Sequence, residues 1–139
     1  MKVVLTITGS QRFGTDEPEK TSLVTEGTLE REGDILLLSY EESELTGMEG
    51  TTTVFRVEPA RITLQRSGTL ESQMVFSEGI EDRSLYDMGF GALMISVCAD
   101  SIRSEMDETG GTLDVSYAVA IEQAAAGTVK YRITARPKI

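Results

Sequence analysis

Leu113-Asp114-Val115-Ser116-Tyr117-Ala118-Val119-Ala120-Ile121-Glu122 alternates without a break. Leu113, Val115, Tyr117, Val119 and Ile121 take one face, and Asp114, Ser116, Ala118, Ala120 and Glu122 the other. A period of two marks a β-strand with one side in a core and one in water, because successive side chains leave the pleat in opposite directions. A second such stretch follows: Val129, Tyr131, Ile133 and Ala135 are set against Lys130, Arg132, Thr134 and Arg136. The short connection between the two, marked by Ala126-Gly127, suits antiparallel neighbours, since a parallel crossover needs about a dozen residues or more.

The same rhythm runs along the rest of the chain. Val3, Leu5 and Ile7 oppose Thr6, Thr8 and Ser10; Leu23, Thr25, Gly27 and Leu29 oppose Glu26, Thr28 and Glu30. Ile62, Leu64 and Arg66 alternate with Thr63, Gln65 and Ser67, after a Thr-rich segment containing Val54, Phe55 and Val57. Turn residues punctuate these runs at Glu32-Gly33-Asp34, Glu58-Pro59-Ala60, Ser67-Gly68-Thr69, Ser77-Glu78-Gly79 and Thr109-Gly110-Gly111. No window carries a convincing helical period; the nearest, Ile80 to Tyr86, is too short to hold a helix by itself. The expectation is an all-β, antiparallel meander of about eight to ten strands, forming one domain over residues 1–139. Closure into a barrel is expected because the two terminal strands are long and would invite aggregation as open edges.

Composition narrows the function. The 139 residues carry a net charge of −10, which opposes a nucleic-acid partner or an anionic membrane surface and favours solubility. The chain has no His, so Ser/His and Cys/His nucleophile pairs and the commonest transition-metal ligand are missing. It has no Trp and only four Tyr and four Phe, few platforms for stacking single-stranded bases. Its apolar runs, such as Ile35–Leu38 and Ala92–Ile95, are far too short for a membrane span. The single Cys98 cannot form an internal disulfide, and Lys2–Thr8 reads as a strand and not as a signal peptide, so a cytoplasmic setting is expected. Cys98, among Met94, Ile95 and Val97, reads as a small buried hydrophobe. No cofactor or metal is expected.

The segment Tyr40-Glu41-Glu42-Ser43-Glu44-Leu45-Thr46-Gly47-Met48-Glu49-Gly50-Thr51-Thr52-Thr53 resembles the signature of the YwiB-like family of small uncharacterised bacterial proteins. Arg66-Ser67-Gly68, Ser72–Phe76 and Gly110–Tyr117 follow in the order of that family. The resemblance covers nearly the whole chain and implies a calycin-like (lipocalin-type) β-barrel in a bacterial cytoplasmic protein. It implies no function, the family being uncharacterised. One departure is Tyr86-Asp87-Met88-Gly89-Phe90-Gly91, where the family pattern has a Pro-containing turn.

Parity singles out one candidate site. Glu41 is in phase with Ile35 and Leu37, whereas Glu42 is in phase with Leu36, Leu38 and Tyr40, so one of the two acids follows an apolar row inward. Arg66 continues the row of Ile62 and Leu64. A charge on an inward row is costly unless it is paired, so Arg66 and one of the two acids are expected to meet at one barrel end, with Tyr40 or Tyr86 hydrogen-bonded to them. The candidate ligand-binding residues are therefore Tyr40, Glu41, Glu42, Arg66 and Tyr86. The acidic loop with Glu44 and Glu49 fits no EF-hand spacing and reads as solvated. Lys130, Arg132, Arg136 and Lys138 share the outward parity of the last strand and read as charge guarding a surface, or as a face for an acidic partner.

Three functions of different kinds fit these residues. The first is a non-enzymatic binding module for a small anionic or amphipathic ligand at the barrel mouth. The second is a packed barrel that binds another protein or a second copy of itself, a homodimer being the simplest case. The third, a carboxylate enzyme near Arg66, lacks the usual catalytic partners.

Overall fold

A computed structural model describes residues 1–13, 17, 19–43, 49–68, 71–87, 91–122 and 124–138; for Phe13, Tyr86, Asp87 and Ala92 it describes the backbone alone. The strands, in chain order, are β1 (Lys2–Phe13), β2 (Glu19–Glu32), β3 (Ile35–Glu41), β4 (Thr51–Glu58), β5 (Arg61–Gly68), β6 (Ser72–Phe76), β7 (Glu81–Asp87), β8 (Ala92–Asp107), β9 (Gly110–Ile121) and β10 (Ala124–Pro137). Among the described residues there is no helix, and so none long and apolar enough to cross a membrane.

Tight turns set the register. Gly33-Asp34 and Pro59-Ala60 each leave two residues between paired strands, and a hairpin this short fixes which residues face each other. The β8–β9 hairpin turns at Glu108-Thr109, where Asp107 Oδ1 accepts the Thr109 backbone N–H at 2.8 Å. Hydrogen bonds from the Thr109 hydroxyl and N–H hold the Asp107 carboxyl below its ordinary pKa. All ten strands pair antiparallel in the order β6-β5-β4-β3-β2-β1-β10-β9-β8-β7. The inward rows are those the alternation predicts. Val3, Leu5, Leu29, Leu38, Ile62, Leu113 and Ile133 are all essentially inaccessible to water, each burial contributing about 1.5–3 kcal/mol.

The barrel is nearly closed, with a seam between β6 and β7. The terminal strands do pair, from Val3 opposite Pro137 onward, but in mid-sheet; the two ends of the sheet are β6 and β7. There, side chains replace a main-chain ladder. The Val75 N–H donates to Asp82 Oδ2 at 3.0 Å, and the Ser84 hydroxyl donates to the Gln73 carbonyl at 2.7 Å. At one end of the seam the Ser77–Ile80 turn is pinned to β8: the Gly79 N–H donates to the Ala99 carbonyl, and the Ile102 N–H to Glu78 Oε1. Across the lumen, Phe55 of β4 meets Tyr131 of β10 with ring centroids 6.3 Å apart, and Phe76 of β6 meets Tyr117 of β9 at 4.7 Å.

Most of Ile80–Tyr86 is strand β7, in keeping with its want of a helical period, and Asp82 and Ser84 turn toward the seam. Two local expectations are corrected. Ala126-Gly127 is no turn but lies within β10, where the register with β9 shifts between Ala125 and Gly127; the chain reverses earlier, with Glu122 at φ 51°. Cys98 is half-buried, since Val97 and Ala99 on either side occupy the inward row.

Candidate functional site

Register carries a line of inward residues across four strands. Gly27 on β2 pairs with Tyr40 on β3, Tyr40 with Thr53 on β4, and Thr53 with Arg66 on β5. Gly27 is small for a reason of space, because a Cβ there would lie 2.4 Å from the Ser39 carbonyl oxygen and 3.2 Å from Tyr40 Cβ. Just past the end of β3, the Glu42 N–H donates to the Thr51 carbonyl at 2.8 Å, which keeps the strand's parity for one more residue. Glu42 therefore turns inward and is only 6% exposed, while Glu41 is exposed.

The inward groups form a polar cluster. The Thr53 hydroxyl donates to Glu42 Oε1 at 2.9 Å, and both residues are buried. The Tyr40 phenol lies beside the Glu42 carboxylate and the Tyr131 phenol, which both act on its proton. Arg66 acts electrostatically on both tyrosines, and so does Glu42. No direct ion pair joins Glu42 to Arg66 among the described residues. Two atoms stand out, since Glu42 Oε2 and Arg66 Nε are buried with no hydrogen-bond partner. Buried atoms of charged groups left without a partner are rare in protein interiors, because each such atom forfeits its hydration without replacement.

Arg66 also lines a cavity of about 70 Å³, enclosed by Phe55, Leu64, Met74, Phe76, Leu113, Val115, Tyr117, Tyr131 and Ile133. It is the one charged residue among the described lining. Arg66, Tyr40 and Glu42 are thus in one neighbourhood, while Glu41 faces out and the side chain of Tyr86 lies outside the described residues. Glu44 and residues 88–90 also lie outside them, and Glu49 is exposed. Sequence reasoning missed Thr53 and Tyr131. Parity with Phe55 could have found the first, and the inward row of the last strand the second.

Burial raises the pKa of Tyr40 far above the ordinary tyrosine value, with the nearby Tyr131 and Glu42 adding to the effect and Arg66 opposing it. Burial likewise raises Tyr131. A raised value means the fold favours the neutral phenol. The stability so gained is whole below the unfolded tyrosine pKa of about 10 and is lost as pH rises toward the folded values. In an alkaline titration, the tyrosinate absorbance missing from the Tyr40→Phe and Tyr131→Phe variants should appear in the wild type only as the β-sheet circular dichroism collapses. Ionisation of both phenols near pH 10 in an intact barrel would contradict this.

Residues 5–133 match the family described as Domain of unknown function (DUF1934). The chain belongs to that family. Over 87 residues it is 28% identical to the uncharacterized beta-barrel protein YwiB of Bacillus subtilis (strain 168), a match covering 63% of this chain. The match spans 59% of that relative, less than two thirds of its length. The crystal structure of the ywiB protein from Bacillus subtilis has the same fold, with a TM-score of 0.87 at 21% identity over 99% of this chain and 92% of that one. In this DUF1934 barrel, the Tyr40–Thr53 segment that carries the YwiB-like resemblance also supplies Tyr40, Glu42 and Thr53 to the interior cluster. Among its described residues, no group of three His, Cys, Asp or Glu side chains is placed to hold a metal ion.

Proposed function

We propose that this DUF1934 barrel is a non-enzymatic binding module of calycin type, taking the head of a small amphipathic carboxylic acid into its interior. The observation that carries the reading is the Arg66 guanidinium, whose Nε is buried without a partner at the wall of an otherwise apolar, aromatic cavity. Binding sites commonly combine such walls with a few converging polar groups. A carboxylate would satisfy Arg66 with charge-assisted hydrogen bonds, and the apolar body would pack against Phe55, Phe76 and Tyr117. Size limits the choice: an engineered cavity of roughly 150 Å³ takes benzene, and this one has about half that volume, so short acids fit and long chains do not. Cys98, the sole cysteine, has no internal partner, which suits a reducing, cytoplasmic setting.

Calorimetric titration with a series of linear carboxylates from acetate to hexanoate tests the reading, with the primary amide of the tightest binder as control. The expected result is saturable binding with the acid at least about tenfold tighter than its amide, a preference lost in Arg66→Met. No binding anywhere in the series, together with an empty barrel by native mass spectrometry, would favour the packed barrel that acts through its outer surface. The same mass spectrum reports whether that barrel is a homodimer.

A further inference from the structure

The outer face of the sheet carries a second feature. A groove of about 540 Å³ crosses β2, β1, β10, β9 and β8 on the side facing away from the core. Register lays its floor as a row running Lys20–Ser10–Lys130–Ser116–Ser101. Lys20 and Lys130 both sit opposite Ser10, one on each side, so their Cα atoms are about 10 Å apart at the usual strand spacing. Both are exposed, and neither takes part in an ion pair among the described residues. An anion above Ser10 is within reach of both ammonium groups. The adjoining row adds Thr8 and Arg132, the latter held by Asp114 at 2.8 Å.

Two details show how this row stays free of acids in a chain of net charge −10. The β8 bulge between Ala99 and Ser101 brings Ser101 opposite Ser116 and leaves Asp100 without a partner in the β9 register. Bulges re-aim side chains in this way beside functional sites. The nearest carboxylate of the groove, Asp114, is already committed to Arg132.

We propose that this groove binds the phosphate group of a small phosphorylated molecule. Phosphate brings close to two negative charges and three acceptor oxygens, which match two free ammonium groups over a floor of hydroxyl donors. The groove volume falls within the range of small-molecule sites. A small anion feels the local cations, because charges beyond about 8–10 Å are screened at physiological salt. A long polyanion would instead run out over the acidic remainder of the surface, which disfavours nucleic acid.

The test uses the full chain and inorganic pyrophosphate, followed by backbone amide chemical shifts. Saturable shifts centred on Ser10, Lys20, Lys130 and Ser116 are expected. Affinity should fall at least about tenfold in the double variant Lys20→Gln/Lys130→Gln and stay unchanged in Arg136→Gln, which removes an exposed cation of the same strand outside the groove. Shifts that never saturate, that sodium sulfate reproduces at equal ionic strength, or that Arg136→Gln weakens equally would overturn the proposal. So would a single-stranded oligonucleotide that displaces pyrophosphate at lower concentration, since the partner would then be a nucleic acid.

Discussion

Gly111→Ala is expected to lower the stability of the barrel by about 3–5 kcal/mol, adding a backbone penalty to a steric one. Gly111, the second residue of β9, lies opposite Met106 of β8 and Ala135 of β10, at φ +135°, a conformation that residues with a Cβ seldom adopt. An added Cβ would lie 2.1 Å from the Glu105 carbonyl oxygen and 2.7 Å from Met106 Cα. Both atoms are backbone in a paired strand, so relief requires β8 itself to shift, not a side chain to rotate. For a domain of this size the loss corresponds to a melting temperature lower by about 10–20 °C. Thermal denaturation followed by circular dichroism measures it, and a variant melting within about 2 °C of the wild type would show that β8 yields more easily than its pairing implies.

Gly110-Gly111 also marks the limit of what local sequence can convey. The pair is legible as a turn, and the β8–β9 reversal is indeed there. The reversal itself, however, uses Glu108-Thr109, and Gly111 is needed because another strand's backbone crowds it. The alternating rows and most hairpins were readable because they depend on neighbours in sequence. The seam was not. β6 has only five residues, and its contact with β7 rests on Asp82 and Ser84 reaching across to Val75 and Gln73, a pattern with no period to detect. The argument from long terminal strands correctly required that they be paired, yet a meander can pair its ends and still leave a gap elsewhere.

The site divides along the same line. That Arg66 and one of Glu41 and Glu42 follow inward rows was legible, because Arg66 extends the row of Ile62 and Leu64 and each acid extends one of the two rows of β3; which acid it is depends on the pairing that carries the strand's parity on to Glu42. What they would meet was not. Tyr131 belongs to β10, far from β4 in sheet order, and reaches Phe55 only because the sheet curls around its lumen. Curvature of that kind depends on all ten strands together. The direct contact between Arg66 and an acid that parity suggests is thus replaced by an arrangement in which Tyr40 and Tyr131 feel both charges.

That arrangement makes a sharp prediction about stability. Arg66→Met should destabilise the barrel by about 2–3 kcal/mol, somewhat less than the roughly 3–5 kcal/mol that breaking a buried charge pair costs, since Arg66 is partly exposed and does not touch Glu42. The variant leaves the Glu42 carboxylate buried, with Oε2 unpartnered and the neighbouring cation gone. The double variant Glu42→Leu/Arg66→Met removes both charges and fills the space with apolar volume. It should recover to within about 1 kcal/mol of the wild type, the Thr53 hydroxyl losing an acceptor while two desolvated charges disappear. Urea unfolding of the two variants and Glu42→Leu completes a double-mutant cycle. If the losses simply add, Arg66 is held by packing and its charge has no structural partner. If the double variant is as stable as the wild type but no longer distinguishes a carboxylate from its amide, the charges are kept at the expense of neither fold nor core, and ligand recognition is the reason they stay buried.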